Sequence, residues 1–236
     1  MPDTRERHDR VGVTLGVGIV GAGPVTQAIH LPVLATVKDR LHVAHVMDVD
    51  PAVAAAVAAR ADTRWTTDVD ALLADPQVDV VAICSPHRFH AEQVEAACAA
   101  GKRAILCEKP LAVDDDGADR IVAASRSSGV PVVVGTMHVY DPAVSAAASD
   151  WGGLAETARL VRSVIVLPPN ERFVDLATEM HAQPGGDPAP LADAAMITDG
   201  ILSLATHDLP LIRRFAPAVD DVMAATAIRP WGYDIT

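Results

Sequence analysis

Aromatic residues make up only 3% of the 236-residue chain, and Trp65, Trp151 and Trp231 are too dispersed to build a sugar-stacking platform. Cysteine is equally scarce. Cys84, Cys98 and Cys107 are too few and too scattered for a disulfide framework or a paired-cysteine metal site, which fits a reducing, intracellular and cytoplasmic setting. Basic residues are in the minority, 19 against 31 acidic ones, for a formal net charge of −12. Such a charge repels a phosphate backbone, so DNA and RNA are poor partners. No run reaches the roughly 18 to 20 uninterrupted apolar residues of a membrane span. The apolar stretch Val11–Val25 is broken by five glycines and preceded by both acidic and basic residues, which reads against a signal peptide. There is no internal repeat. What remains is half apolar and 21% charged, long enough for one large core or two small domains, and unlike disordered, collagenous or coiled-coil chains.

Short β-branched runs alternate with alanine-rich segments of helical length, the pattern of a parallel sheet covered on both faces. Strands are expected at Leu15–Val20, Leu41–Met47, Arg64–Thr66, Val78–Cys84, Arg103–Cys107 and Val130–Val134, with helices at Val25–Ala35, Pro51–Ala61, Asp70–Ala74, His90–Ala100 and Asp114–Ser127. Pro51 suits a first helical turn, Gly101 and Gly129 suit left-handed caps, and Asp114 to Asp116 suit a helix N-terminus. The alternation stops near Tyr140. Beyond it the sequence predicts a helix at Ala143–Asp150, a strand at Ala158–Leu167, a Pro/Gly/Asp-rich loop over Pro168–Pro190 with a short helix at Phe173–Met180, a helix at Asp199–Phe215 and a strand at Asp221–Ile228. The fold class is therefore α/β: a doubly wound parallel sheet over residues 1–138, followed by a smaller, apparently truncated α+β domain over 139–236.

Gly21-Ala22-Gly23-Pro24-Val25-Thr26 follows a buried strand and opens an amphipathic helix, where bare backbone N–H groups and the helix dipole attract a pyrophosphate. The third glycine position of G-x-G-x-x-G is Thr26, and a strand-to-helix turn needs glycines in any case. Asp48, 25 residues after Gly23, ends the second strand, where a carboxylate takes both ribose hydroxyls and repels a 2′-phosphate. No Arg or Lys occupies residues 49–59. NAD is favoured over NADP. Asp48 or Asp50 could instead start the turn before Pro51; the context favours a ligand role for Asp48 and a turn role for Asp50.

Two more segments lie at carboxyl ends of strands, where open α/β sheets bind ligands: Ser85-Pro86-His87-Arg88-Phe89-His90 and Glu108-Lys109-Pro110. With them the chain resembles the Gfo/Idh/MocA family of sugar and inositol oxidoreductases. The resemblance rests on Gly21 and Gly23 with His30-Leu31-Pro32, Asp48, Ser85 to His90, Ala100 to Lys102, Cys107 to Leu111 and Tyr140 to Pro142, and more loosely on His207-Asp208-Leu209. It implies a Rossmann fold, an NAD cofactor held by Gly21, Gly23, Pro24, Val25, Asp48, Ser85, Pro86, His87, His90 and Glu108, and a sugar or polyol substrate.

Oxidising a secondary alcohol removes its O–H proton as hydride leaves the carbon, so a group that accepts that proton must lie beside the nicotinamide. Lys109 is the candidate, provided burial or a neighbouring cation lowers its pKa from roughly 10.4. Pro110 excludes Lys109 from helical geometry, and its imide bond is a candidate for the cis form. Glu108 is expected to orient the lysine or the nicotinamide ribose. His207 is the second catalytic candidate, sharing a helix face with Ser203 at i, i+4; a lone histidine can also be purely structural. The resemblance implies an acid at position 203, and the serine there puts activity in doubt. Asp208 points about 100° away on an ideal helix. His138, Tyr140 and Ser203 are expected to face substrate, although Tyr140 suits boundary packing equally well, with Asp141 capping the next helix. His42, His45, His87 and His90 lack metal-ligand spacing, so no metal is expected.

The family continues through a larger antiparallel sheet, whereas this chain stops at Thr236; a fragment and a natural short form are both open. Exposed strand edges would favour a homo-oligomer, a dimer first. Three readings remain: an NAD-dependent sugar or cyclitol dehydrogenase, a catalytically impaired NAD-binding partner or regulatory subunit of the same fold, and an S-adenosylmethionine methyltransferase, which Glu108-Lys109-Pro110 argues against.

Overall fold

The computed structural model describes residues 14–166, 178, 192–229 and 232–236. Six parallel strands form one sheet: β1 Leu15–Val20, β2 Leu41–Met47, β3 Arg64–Thr66, β4 Val80–Ile83, β5 Ala104–Cys107 and β6 Val132–Val134. Their order is β3-β2-β1-β4-β5-β6. The direction of winding reverses between β1 and β4, which opens a crevice at their carboxyl ends. The strands lie within two residues of where the sequence predicts them; the central β1 and β4 are largely buried apolar runs, whereas the edge strands β3 and β6 are partly exposed.

The connecting helices are α1 Leu31–Thr36, entered through a π-helical turn at Thr26–His30, then α2 Pro51–Arg60, α3 Val69–Ala74, α4 His90–Ala99 and α5 Asp115–Ser128. Their ends follow the expected chemistry. Asp50 Oδ1 accepts from the N–H of Ala52 at 2.8 Å, Asp114 Oδ1 from Gly117 at 2.8 Å, and Gly129 takes a left-handed C-cap at φ 73°. One apolar cluster packs α3, α4 and α5 against β4 and β5 through Leu72, Val81, Val94, Ile105 and Ile121; a second packs α2 on β2 through Val46, Val53 and Val57.

A polar cluster ties together the amino ends of the strands. His45 Nδ1 lies 2.8 Å from Asp75 Oδ2, Arg64 approaches the same carboxylate at 3.3 Å, and the buried Lys102 Nζ donates to the carbonyls of Val78 at 2.8 Å and Asp75 at 3.2 Å. This satisfies polar groups that burial would otherwise leave unpaired. Burial lowers the Lys102 pKa, opposed by the charges of Asp75 and Asp79.

Past β6 the chain forms a 3-10 turn at Met137–Tyr140, then α6 Pro142–Asp150, α7 Leu154–Thr157, α8 Asp193–Gly200, a π-helical turn at Ile201–Ala205 and α9 Thr206–Ile212. Strands β7 Ala225–Ala227 and β8 Tyr233–Ile235 close an antiparallel hairpin. Three expectations are corrected here. Residues 158–166 form no strand, since no described segment offers them a ladder, and Val164 and Val166 are exposed. The predicted single helix Asp199–Phe215 starts earlier, at Asp193, is interrupted by the π turn and ends at Ile212. The predicted strand Asp221–Ile228 contracts to three residues and pairs with β8, which the sequence did not suggest. Leu167, the expected loop over Pro168–Pro190 with its expected short helix at Phe173–Met180, Thr178 apart, and Trp231 lie outside the described residues. Among those described, no helix is long and apolar enough to cross a membrane, and no group of three or more His, Cys, Asp or Glu could hold a metal ion.

Candidate active site

β1 delivers the glycine turn to the carboxyl edge of the sheet. Gly21 has φ 95°, and a Cβ there would fall 2.7 Å from the backbone of Cys84 and Ser85, so both conformation and close approach require glycine. At Gly23 a Cβ would meet nothing within 4 Å, and Pro24 and Val25 are exposed. The outer face of the turn is thus open backbone at the start of a helix, which fits a pyrophosphate. Thr26, at the third glycine position, is fully buried, and its hydroxyl donates to the Gly21 carbonyl at 2.6 Å. Gln27 donates to the Ala22 carbonyl at 2.8 Å. These two side chains brace the turn from below.

Asp48 closes the other wall. Its Oδ2 accepts from the Ala22 N–H at 2.8 Å and its Oδ1 from the Asp50 N–H at 2.9 Å. Each oxygen keeps a lone pair for a ribose hydroxyl. Asp48 therefore fixes the loop as well as standing where a ligand would arrive.

The segment after β4 is built around His90, which is buried, with Nδ1 2.7 Å from the Pro110 carbonyl and Nε2 2.9 Å from the Ser85 carbonyl. It bolts the Ser85 loop to the Glu108-Lys109-Pro110 turn. Pro86 is exposed and His87 half-buried beside it.

That second turn follows β5, and its Lys109–Pro110 bond is cis. Glu108 Oε1 lies 2.8 Å from His30 Nε2, while Oε2 accepts from the Lys109 backbone N–H at 3.2 Å. Burial opposes charge on both partners of the His30–Glu108 pair. Contacts with Cys84 and Glu108 nevertheless hold the His30 pKa well above 6.5, and the bond with His30, its charge and the Lys109 N–H hold Glu108 below 4.5. Glu108 thus orients His30 and the Lys109 backbone. The Lys109 amine itself donates to the backbone carbonyl of Ser203 at 2.7 Å. A neutral acceptor supplies no counter-charge, so burial keeps the Lys109 pKa below 10.5 despite the pull of Glu108.

Ser203 sits inside the π turn between α8 and α9. A π turn displaces the regular i−4 ladder and frees backbone groups for other partners, here a carbonyl for Lys109. The Ser203 hydroxyl faces Asp199 Oδ1 at 3.4 Å, a long contact. His207, one turn on, has a buried Nδ1 with no hydrogen-bond partner. Burial first, then the electrostatic influence of the neighbouring Lys109 and His138, lowers its pKa from 6.5. Its ring lies 5.2 Å from that of His138, whose Nδ1 is 2.8 Å from Asp208 Oδ1. Tyr140 is 65% exposed, and Asp141 caps α6 through the Ala143 N–H at 2.7 Å. A cavity of about 380 Å³ between α1 and β2 is bounded by Leu31, Leu34, Leu41 and Arg60, with none of Asp48, Glu108, Lys109, Ser203 or His207 in its lining.

Residues 15–136 match a family described as oxidoreductases with an NAD-binding Rossmann fold, Gfo/Idh/MocA. The chain belongs to that family. Inositol 2-dehydrogenase 2 of Saccharopolyspora erythraea is 30% identical over 220 residues, 92% of this chain and 58% of that protein. Among solved structures, GenD2 from gentamicin A biosynthesis in complex with NAD has a TM-score of 0.54 at 34% identity, covering 60% of this chain and 39% of GenD2. The 3-ketoreductase KijD10 of Actinomadura kijaniata in complex with NADP has a TM-score of 0.56 at 26% identity, covering 59% of this chain and 44% of KijD10. The chain spans 58% or less of the length of each of these.

Within this family member, sequence reasoning brought Gly21, Gly23, Asp48, Glu108, Lys109, Ser203 and His207 to one edge of the sheet. It missed Thr26 and Gln27 as loop braces and gave no structural role to His30. The H-L-P motif that contains His30 was the available signal for the third. Asp208 was set aside on ideal-helix geometry, which the preceding π turn and the approach of His138 make a poor guide.

Proposed function

We propose that the chain moves hydride between NAD and a secondary alcohol of a sugar, cyclitol or related polyol, with Lys109 and His207 as its proton-handling groups. The observation that carries the reading is the Lys109 amine, brought from the carboxyl end of β5 to the helix of His207 and held there by a neutral carbonyl with its pKa depressed by burial. Its unprotonated form is accordingly easier to reach than that of a free lysine. NAD held by its pyrophosphate at the glycine turn would supply or accept the hydride through its nicotinamide ring. Gly23, Pro24 and Val25 receive the pyrophosphate, and Asp48 takes the adenosine ribose, disfavouring the 2′-phosphate of NADP. Ser85, Pro86 and His87 form the wall opposite, with the buried His90 holding that segment from behind rather than facing the cofactor, and Glu108 holds the lysine turn through Lys109 N–H and His30.

The Lys109 amine accepts the alcohol proton as the substrate is oxidised and returns it in reduction. His207 is the second proton-handling group, one turn past the Ser203 carbonyl that holds the Lys109 amine and with its ring beside that of His138. His138 and Tyr140 line the substrate side. We place the division between a cofactor unit and a substrate unit at 138/139, the protein in a reducing cytoplasmic compartment, and its assembly as a homo-oligomer through exposed apolar residues past 150. A second reading, an NAD-binding partner with impaired catalysis, draws on Ser203, which offers Lys109 a carbonyl instead of a carboxylate.

A panel of polyols including inositol, assayed with NAD by the absorbance of the reduced nicotinamide, separates the two. Turnover lost in Lys109→Ala with NAD affinity retained supports the enzyme. Tight NAD binding with no turnover on any polyol supports the second reading, and Asp48→Ala should weaken NAD binding in both.

A further inference from the structure

Asp208 lies at the first turn of α9 with both carboxylate oxygens engaged across the chain. Oδ1 is 2.8 Å from His138 Nδ1 and Oδ2 accepts from the Ser163 hydroxyl at 2.7 Å. Its side chain is 19% exposed, that of His138 45%. The three residues come from separate segments, the 3-10 turn after β6, the irregular stretch after α7, and α9. The direction of donation matters. The serine donates to the carboxylate and not to a histidine, so nothing activates it as a nucleophile, and the array differs in kind from a hydrolytic triad.

A carboxylate facing Nδ1 holds the proton on that nitrogen and leaves Nε2 as the acceptor. It also fixes the ring plane, here tilted by 35° against that of His207 with the centroids 5.2 Å apart. The groups bearing on the two rings are Asp208, Lys109 and Glu108, with Tyr233 near Asp208. His138 and Lys109 both bear on His207, and a His138 Nε2 left as acceptor can take a hydrogen bond from a hydroxyl, which is what a polyol offers in number.

We propose that Asp208 is a positioning residue that sets the tautomer and orientation of His138, so that His138 Nε2 accepts a hydrogen bond from a hydroxyl neighbouring the reacting carbon of a polyol. This rests on the oxidoreductase reading for the identity of the substrate, while the His138 tautomer does not depend on it. Asp208 touches no substrate in this account; it acts through His138, with Ser163 holding its second oxygen. Losing a hydrogen bond to a charged group inside a partly buried array costs about tenfold in an equilibrium it controls.

Nitrogen-15 spectra of the histidine rings, with His138 assigned by its absence in His138→Gln, give a readout independent of turnover. Wild type is expected to show Nδ1–H for His138, and Asp208→Ala to move the proton toward Nε2. Asp208→Asn, which keeps an acceptor oxygen, should retain most of the wild-type pattern. Retained NAD binding controls for folding in each variant. With inositol and NAD, Asp208→Ala should raise KM about tenfold with kcat changed by no more than a few-fold, and Asp208→Asn should recover part of the loss. An unaltered ring spectrum in Asp208→Ala overturns the proposal, as does a shifted spectrum with KM unchanged. If wild type turns over no polyol, the oxidoreductase reading fails, while the ring spectra still decide the positioning role.

Discussion

The six-stranded region and the region after Tyr140 use apolar residues in opposite ways. Among the described residues, every buried apolar side chain but Met196 lies between Val17 and Val130, whereas Leu160, Val164, Val166, Val219 and Met223 are each more than 70% exposed. The first region has its own core and can hold a cofactor loop in place. The second carries further candidate site residues without comparable packing among the described residues. The candidate site spans both, since Lys109 stands at the end of a core strand and docks onto the π turn of the thinly packed part. Under the proposed function, rigid positioning would come from the first region and substrate-facing variety from the second, where stability depends on the residues least.

The largest effect should come from the residue that bridges the two. Lys109→Ala is expected to lower turnover by about 10² to 10⁴, the range for losing a positioned acid or base, with NAD affinity altered only a few-fold. Steady-state kinetics alongside NAD titration check this. The contrast in packing is tested next by a pair of truncations followed by chemical denaturation. Ile105→Ala, 1% exposed in the main cluster, should cost about 2–5 kcal/mol. Val164→Ala, 73% exposed, should stay within about 0.5 kcal/mol. Equal losses would erase the distinction between the regions.

The His30–Glu108 pair gives a smaller, pH-dependent effect. The raised His30 pKa contributes stability that is fully present below 6.5 and is lost as pH rises through the elevated folded value. The lowered Glu108 pKa contributes stability present above 4.5 and lost as pH falls through the depressed folded value. Both describe one interaction, so its full effect lies between pH 4.5 and 6.5. Glu108→Gln should lose roughly 1–3 kcal/mol in that window relative to wild type, with the gap narrowing on either side. A gap that does not vary with pH contradicts the pairing. The mildest expectation is Asp48→Ala, which should weaken NAD binding by about tenfold through loss of the ribose contacts and the Ala22 brace.

The same contrast explains what could be read in the sequence. Strands such as Val80–Ile83 and Ala104–Cys107 are legible because burial on both faces forces continuous apolar runs, and the helix ends because Asp50, Asp114 and Gly129 carry local chemistry. Residues 158–166 carry the same β-branched signal with no ladder partner among the described residues, and composition does not register a missing partner. Site residues on the sheet edge follow from strand ends. The contacts that join them, His30 to Glu108 across 78 residues and His138 to Asp208 across 70, depend on tertiary placement that no local pattern encodes. The π turn at Ile201–Ala205 is likewise invisible to a 3.6-residue period, yet it decides that a carbonyl, and not a side chain, meets Lys109.

The central claim, hydride exchange beside the Lys109 amine, is tested most directly with inositol deuterated at its carbinol carbons and unlabelled NAD. The account predicts reduced nicotinamide bearing deuterium in wild type and its near-complete loss in Lys109→Ala. Unlabelled reduced cofactor, or labelled product formed equally well without the lysine, would contradict it.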